Sequence, residues 1–311
     1  MEIQLKNDNF VKYNKTFNIY YIICPYDQTH TRYIMNVGDM YGKFLVESLL
    51  NTEIIHHTTI PKNMLSTDNV FQIAGSTISD SNKNTVILGT GIILNTVMIE
   101  SFKDCYLVRG KFTLNKLKSN HPTYDFSKVK LGDPGLTLSY FINTNIEKKY
   151  DYGIMLHYAD MQFLKTYFTD ECLNKVKIID VDNANVIDVA NQMLQCKKII
   201  SSSLHGIIFS HSLGIPVSWI RLEKTKLTPD DIKFYDYLSI YNMENDKRLC
   251  NLIKDKLIYN NLASLITIDI DNDVMKNKKH EVFQHIINTF NIYNYEIKSA
   301  YQNYINNVPN V

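Results

Sequence analysis

The chain alternates apolar, β-branched runs with short polar or glycine-rich loops and with stretches of helical periodicity. The apolar runs predict strands, and the helical stretches between them predict crossover connections. Strands that alternate with helices favour mostly parallel sheets, so we predict an α/β fold of two doubly wound, Rossmann-like domains. The predicted strands cover residues 17–24, 70–74, 85–88, 105–108, 128–131, 152–156, 176–181, 198–200 and 217–220, and the predicted helices cover residues 40–50, 112–117, 186–195, 204–213, 281–290 and 292–304.

One polar, charged segment interrupts this alternation near the middle of the chain. Residues 143–151 contain Glu147-Lys148-Lys149 and are the predicted linker. A chain of 311 residues has room for two domains of about 150 residues each. We therefore predict an N-terminal domain over residues 1–145 and a C-terminal domain over residues 150–311, with the last helices packing back on the first domain.

The clearest local pattern lies at residues 198–220. An apolar run ends at Ser201-Ser202-Ser203, a helix follows over 204–213, and Gly214 and Pro216 mark its end. This places His205 in the first turn of a helix, beside free backbone N–H groups that attract anions. Such a histidine is either a structural hydrogen-bond donor or a group that takes part in catalysis.

Polar and glycine-rich groups follow most of the predicted strands. In an open parallel sheet, ligands bind outside the carboxyl ends of the strands. If the two domains face one another, the cleft between these edges is the predicted active site. The glycines do not form the Gly-x-Gly-x-x-Gly pattern of a dinucleotide-binding dehydrogenase.

Composition and charge exclude several other classes of protein. Apolar residues make up 45% of the chain, and the net charge of +1 gives no general attraction to nucleic acid or to an acidic membrane. Five scattered cysteines, with no Cys-x-x-Cys pair, favour a reducing compartment over a disulfide framework or a zinc ribbon. With no apparent signal peptide, apolar span, metal motif or basic stripe, we expect a cytoplasmic protein that binds neither a metal nor nucleic acid.

Eight short elements, in order along residues 36–240, resemble the polysaccharide pyruvyltransferase family. No single element is specific to this family, but the order of all eight elements along the chain is. They are Asn36-Val37-Gly38-Asp39, Gly75-Ser76, Gly89-Thr90-Gly91, Val108-Arg109-Gly110, Leu131-Gly132-Asp133-Pro134-Gly135, residues 153–160, residues 201–206 and Lys233-Phe234-Tyr235-Asp236-Tyr237.

The resemblance implies an architecture similar to the GT-B glycosyltransferases. It also implies transfer of a pyruvyl group from phosphoenolpyruvate to two hydroxyls of one sugar, which gives a cyclic ketal, with phosphoenolpyruvate as co-substrate and no cofactor. The methylene carbon of the donor must gain a proton, the hydroxyls must lose theirs, and cations must hold the phosphate and the carboxylate. The first domain is the predicted acceptor side and the second the donor side.

His205 is the predicted general acid or base, because imidazole can do both near neutral pH. His157, which ends a predicted strand, is a second predicted catalytic residue, with a structural role as its alternative. Asn36 and Asp39 are predicted to meet the acceptor, although Asp39 is equally suited to be the N-cap of its helix.

The predicted donor-binding residues are Ser202, Ser203, Leu204, Arg109, Arg221 and Lys233. Ser202 and Ser203 suit either phosphate contacts or simple helix capping, and Arg109 suits either a bidentate clamp or the end of a surface loop. Some relatives resemble Arg-Leu-His-Gly where this chain has Ser203-Leu204-His205-Gly206. An arginine is therefore missing here, and Arg221 or Lys233 could supply its charge.

Two other functions remain open at this point. A GT-B-type glycosyltransferase would use a nucleotide-sugar donor, and a catalytically silent protein would bind sugar or act as a scaffold. The resemblance implies action on lipid-linked or growing glycans, which allows a peripheral encounter with a membrane without an anchor in the chain. The sequence does not identify the acceptor sugar or the oligomeric state.

Overall fold

A computed structural model of the chain describes residues 16–20, 24–25, 33–57, 69–225 and 230–303. Most strands are followed by a helix or a short 3-10 turn, as the alternating pattern predicts. The strands are β1 Thr16–Tyr20, β2 Cys24–Pro25, β3 Tyr33–Ile34, β4 Glu53–His57, β5 Val70–Gln72, β6 Thr85–Leu88, β7 Asp104–Val108, β8 Lys130–Leu131, β9 Tyr150–Met155, β10 Lys177–Ile178, β11 Cys196–Ser201, β12 Val217–Leu222 and β13 Cys250–Ile253. The α-helices are α1 Val37–Leu49, α2 Lys111–Asn120, α3 Leu164–Tyr167, α4 Asp170–Lys175, α5 Val186–Leu194, α6 Leu204–Leu213, α7 Ile232–Leu238, α8 Asn272–Ile292 and α9 Ser299–Gln302.

The strands form two parallel sheets. The first has six strands in the order β4-β1-β5-β6-β7-β8, and the second has five in the order β10-β9-β11-β12-β13. Every pair within these two sheets is parallel. The prediction of an α/β protein with two Rossmann-like sheets is therefore confirmed. The predicted domain limits, 1–145 and 150–311, stay a prediction.

Helix α6 begins and ends at the predicted residues. Gly214 follows it in the left-handed conformation, with φ of 69°, which a residue without a Cβ adopts at no cost. Its backbone N–H is directed at the carbonyls of Ser210 and His211. The local signals at this helix were therefore sufficient to predict it.

Several predicted boundaries are wrong. The helix predicted over 40–50 begins at Val37, because Asn36 and not Asp39 is its N-cap. The helix predicted over 292–304 is a four-residue helix, α9, because Asn294 takes a left-handed conformation and ends the preceding helix. Residue 304 lies outside the described residues, as do residues 21–23 of the first predicted strand.

The long C-terminal helix α8 packs on the first sheet, although it follows the second sheet in the chain. His285 Nε2 on this helix lies 2.7 Å from the carbonyl oxygen of Tyr106 in β7. Phe290 packs edge-on against Phe17 of β1, with ring centroids 5.4 Å apart. Beyond the helix, the backbone N–H of Lys298 donates to the carbonyl of Leu49. The chain thus returns to the sheet where it began.

One hydrophobic core includes residues from both sheets. Phe17 and Phe71 of the first sheet and Ile199 and Val217 of the second belong to one contiguous buried cluster. Helix α6 of the second half contacts the 3-10 segment Pro134–Tyr140 of the first half. The carboxyl ends of the two sets of strands are held facing each other by this shared packing. None of the described helices is both long and apolar enough to cross a membrane.

Candidate active site

A cavity of about 130 Å³ lies between the two sheets, and loops from both of them line it. The loop after β5 and the start of α1 form one wall. The loop after β9, the start of α6 and the start of α7 form the other. The lining residues are Asn36, Asp39, Gly75, Ser76, Thr77, Ile93, His157, Tyr158, Ser203, Leu204, His205 and Lys233.

The start of helix α6 opens into this cavity without a side-chain cap. Ser203 is the N-cap residue, but its side chain accepts no hydrogen bond from the first turn of the helix. The Ser203 backbone N–H donates to the Ser201 hydroxyl instead. Ser203 and Leu204 both line the cavity, so the positive end of a ten-residue helix borders the ligand space. A bound anion would be stabilised there.

Lys233 is the cation of the cavity. Its side chain projects from the first turn of α7 and is only 8% exposed. Its ammonium lies 5.3 Å from the centroid of the Phe234 ring and makes no hydrogen bond or ion pair with any residue that the structure describes. Burial and, to a lesser degree, the charge of Arg109 lower the pKa of Lys233 to about 8. It is still protonated at neutral pH.

His205 and His157 both line the cavity as neutral imidazoles. Burial, assisted by the positive charges of Arg109 and Lys233, lowers the pKa of His205 to about 3. The pKa of His157 is likewise about 3, through burial and then through Lys233 and His205. His157 Nδ1 accepts a hydrogen bond from Ala159 N, whereas buried His205 Nε2 has no partner among the described residues.

Two helices meet at His205. The ring lies against the backbone of α1 so closely that a Cβ on Gly38 would be 1.9 Å from His205 Nδ1. Only glycine allows this approach, which was not evident from the sequence because residues 38 and 205 belong to different halves of the chain. The close contact places Asp39, the next residue, on the cavity wall beside the imidazole.

Asn36 and Asp39 have different positions at the start of α1. Asn36 Oδ1 accepts a hydrogen bond from Gly38 N and caps the helix. The Asp39 carboxyl lies in the first turn, close to Gly75, and has no hydrogen-bond partner among the described residues. Burial raises its pKa to about 7, against the opposing effect of Lys233. This shift in pKa depends on packing between distant segments, so it was not evident from the sequence alone.

Arg109 is not brought to the cavity surface. Its side chain is 0% exposed, its Nε donates to Asp236 Oδ2 at 3.1 Å, and its other nitrogens donate to Ser76 Oγ and to the carbonyl of Ile92. The guanidinium therefore supports the cavity wall from behind through Ser76. Because it is fully buried, it does not suit the role of a clamp that touches the donor. The alternative position, at the end of a surface loop, is not found either, because Arg109 is fully buried.

Ser202 and Arg221 line a smaller cavity on the other side of Lys233. Ser202 Oγ accepts a hydrogen bond from His157 N and donates to Asp160 Oδ2, which orders the loop that carries His157. Arg221 lies within β12, not beyond its end, and its NH1 is 2.8 Å from Asp231 Oδ2. Of the two cations suggested in place of the missing arginine, only Lys233 lines the main cavity.

The fold and the cavity together define an α/β protein with a polar site between two parallel sheets. It has two parallel α/β sheets and, between their carboxyl edges, a cavity with a buried cation, an uncapped helix start, two neutral imidazoles and a carboxyl. Among the described residues, no three His, Cys, Asp or Glu side chains gather in a way that could hold a metal ion.

Comparison with known proteins places the chain within a family. Residues 9–224 match the model of the polysaccharide pyruvyl transferase family, and the chain belongs to that family. It is 46% identical over 274 residues to "Uncharacterized protein L143" of Acanthamoeba polyphaga mimivirus, a match that covers 87% of this chain and 94% of the viral protein. A crystal structure of a functionally uncharacterized protein from Klebsiella pneumoniae aligns with 76% of this chain and 93% of its own, at 13% identity and a TM-score of 0.39.

Proposed function

We propose that the protein transfers a pyruvyl group from phosphoenolpyruvate to two hydroxyls of a sugar in a glycan, forming a pyruvate ketal. One observation carries this proposal: Lys233, buried and without an ion-pair partner among the described residues, shares the cavity with the uncapped start of α6. Keeping a charged ammonium largely out of water is costly unless an anion compensates it. A donor with a phosphate and a carboxylate supplies that compensation.

The two positive features of the cavity suit the two anionic groups of the donor. The backbone N–H groups at the start of α6 favour the phosphate, as helix N-termini commonly do. Lys233 then neutralises the remaining negative charge as a compact point charge that needs no planar partner. Ser203, at the position where some relatives have arginine, leaves room for this arrangement. Ser202, Arg109 and Arg221 act behind these groups, through the loops that they hold.

The balanced reaction sets the demands on the other residues. Both acceptor oxygens bond to C2 of the donor, C3 gains one proton, the C2–O bond to phosphate breaks, and hydrogen phosphate leaves with the second hydroxyl proton. His205 and His157 are neutral in the free protein, so each can accept or donate a hydrogen bond to a hydroxyl or to the donor. A bound trianionic donor would favour the protonated imidazoles.

The acceptor enters, in this proposal, from the wall formed by α1 and the loop after β5. Asn36 and Asp39 lie there, beside the helix start that holds the donor. The proposed acceptor is a lipid-linked or growing glycan, so the protein meets a membrane only through its substrate. We further propose a cytoplasmic location, no resident cofactor or metal, and no nucleic-acid partner.

A direct assay tests the proposal. Purified protein is incubated with phosphoenolpyruvate and a panel of galactosides, mannosides and glucosides, and we expect phosphate release together with a new ketal methyl signal in the NMR spectrum. Consumption of a nucleotide-sugar without any use of phosphoenolpyruvate would identify a glycosyltransferase instead. Saccharide binding without turnover of either donor would identify a silent sugar-binding protein.

A further inference from the structure

Asp39 is an ionisable group in the main cavity with no partner among the described residues. Its carboxyl lies in the first turn of α1, where Asn36 already caps the helix, so Asp39 is not needed for that purpose. Gly75, with φ of 87°, lies so near that a Cβ there would be 2.7 Å from Asp39 Oδ1. Asp39 and Gly75 both line the main cavity.

The charged and titratable groups around Asp39 come from four other elements. Lys233 of α7 is the cation that acts on it most, and His205 of α6 and His157 of the loop after β9 line the same cavity. Arg109, behind Ser76, is held in its ion pair with Asp236. Neither imidazole is protonated at neutral pH in the free protein. Asp39, with a pKa of about 7, is the carboxyl of this cavity that carries a proton over part of the neutral range.

The negative charge of the donor further favours the protonated form of Asp39. A carboxylate at residue 39 would repel the phosphate and the carboxylate of phosphoenolpyruvate, whereas a neutral carboxylic acid would not. Binding of the donor is therefore linked to uptake of a proton by Asp39. Lys233, with a pKa of about 8, is mostly protonated at neutral pH and serves to hold the donor.

We propose that Asp39 is the proton-transfer residue of the pyruvyl transfer, acting first as general acid on the donor and then as general base on the acceptor. This inference rests on the proposed function. In the first step the carboxylic acid gives its proton to C3 of phosphoenolpyruvate, and the C2–C3 double bond supplies the electron pair for the new C–H bond. C2 becomes an oxocarbenium-like centre.

The second step restores the acid. A sugar hydroxyl bonds to C2, and its proton passes to the Asp39 carboxylate. Phosphate then leaves with the electrons of its C2–O bond, the second hydroxyl bonds to C2, and its proton departs on hydrogen phosphate. One residue thus accounts for the proton gained at C3 and for the proton lost from the first hydroxyl, and no further co-reactant is required.

The variant Asp39→Asn tests this role, because the amide keeps the shape of the side chain and carries no transferable proton. The matched control is Glu47→Gln, which neutralises a half-exposed carboxylate two turns further along the same helix. We expect Asp39→Asn to bind phosphoenolpyruvate within about threefold of the unmodified protein and to lose about 100-fold or more in kcat. Glu47→Gln keeps both values. A kcat for Asp39→Asn within threefold of the unmodified protein removes the proposed role while leaving the pyruvyl transfer intact.

Calorimetric titration with phosphoenolpyruvate alone gives a readout that needs no acceptor. Titrations at pH 7.5 in two buffers of different ionisation enthalpy measure the protons taken up on binding. We expect uptake by the unmodified protein and by Glu47→Gln, and a clearly smaller uptake by Asp39→Asn. Equal uptake by all three overturns the assignment to Asp39. If none of them binds phosphoenolpyruvate and a nucleotide-sugar is consumed instead, the proposed function fails, and this inference fails with it.

Discussion

Lys233 lowers the stability of the fold, and in the proposed function it binds the donor. Its pKa is lowered from 10.5 to about 8, so the folded protein binds that proton less tightly than the unfolded chain does. The charged ammonium therefore destabilises the fold at and below neutral pH, and this effect diminishes as the pH rises from about 8 towards 10.5. A residue kept at such a cost in the centre of a cavity is more readily explained by a ligand than by packing.

We predict that Lys233→Met raises the melting temperature at pH 7 and weakens binding of phosphoenolpyruvate by about 10- to 100-fold, the loss expected for a charged contact of 1.4–2.7 kcal/mol. Differential scanning fluorimetry and calorimetric titration measure the two effects. Lys175→Met, which removes an exposed lysine from a surface ion pair with Glu171, serves as the control and should change neither. A lower melting temperature for Lys233→Met with undiminished binding would make this lysine a structural residue.

Asp236 is the second residue whose role follows from burial. Its two carboxylate oxygens accept hydrogen bonds from Arg109 Nε, Thr113 N and Thr113 Oγ1, all of them buried. Removing one partner of a buried ion pair leaves the other charge uncompensated. We predict that Asp236→Ala lowers the free energy of unfolding by about 3–5 kcal/mol, measured by urea denaturation. A loss below about 1 kcal/mol would show that Arg109 finds another partner or that water reaches it.

At the level of elements, the contact between α1 and α6 depends on the absence of a side chain at Gly38. Gly38 and His205 come within van der Waals distance, and a methyl group at residue 38 would overlap the imidazole. Alanine is otherwise the better helix former by about 1 kcal/mol. Any loss of stability on substitution must therefore come from the clash between the two helices.

A double-mutant cycle checks this contact. We predict that Gly38→Ala lowers the melting temperature, that His205→Ala changes it little, and that the double variant recovers most of the loss, because truncation of the imidazole leaves space for the new methyl group. Thermal denaturation of the four proteins gives the coupling. Simple additivity of the two single effects would mean that the backbone of α1 moves away instead.

The elements also show which parts of the structure could be predicted from sequence and which could not. Helix α6 was predicted to the residue, because the serine turn, Gly214 and Pro216 act within a few residues. The start of α1 was missed by three residues, since Asn36 and Asp39 are both good caps and only the fold decides between them. The prediction of the final helix was wrong because Asn294, in a left-handed conformation, interrupts a sequence pattern that is amphipathic both before and after it.

The residues of the site also fall into those that could be predicted from the sequence and those that could not. The segments after the strands that carry His157, Ser203 and His205 were identified from the order of short motifs, and these residues do line one cavity. The burial of Arg109 depends on Asp236, which is 127 residues away, and the raised pKa of Asp39 depends on Lys233 and on the packing of α1. Contacts of this range leave no periodic trace in a single sequence. The assignment of roles to these residues stays a prediction.

At the level of the whole molecule, the shared core predicts how the protein unfolds. Because one buried cluster contains residues of both sheets, the two should lose their structure together. We predict a single calorimetric transition whose van't Hoff and calorimetric enthalpies agree. Phe290→Ala, which removes a fully buried ring from helix α8 at a cost of about 3–5 kcal/mol, should lower that transition without splitting it. Two separate transitions, with only one displaced, would show that the sheets unfold independently.

The return of helix α8 to the first sheet has a mechanical consequence. The chain passes from the first sheet to the second between β8 and β9, and it passes back between β13 and α8, so the second sheet is attached at two points. The two connections are independent in the chain, so a cut of the backbone in either one would leave the two sheets covalently joined through the other.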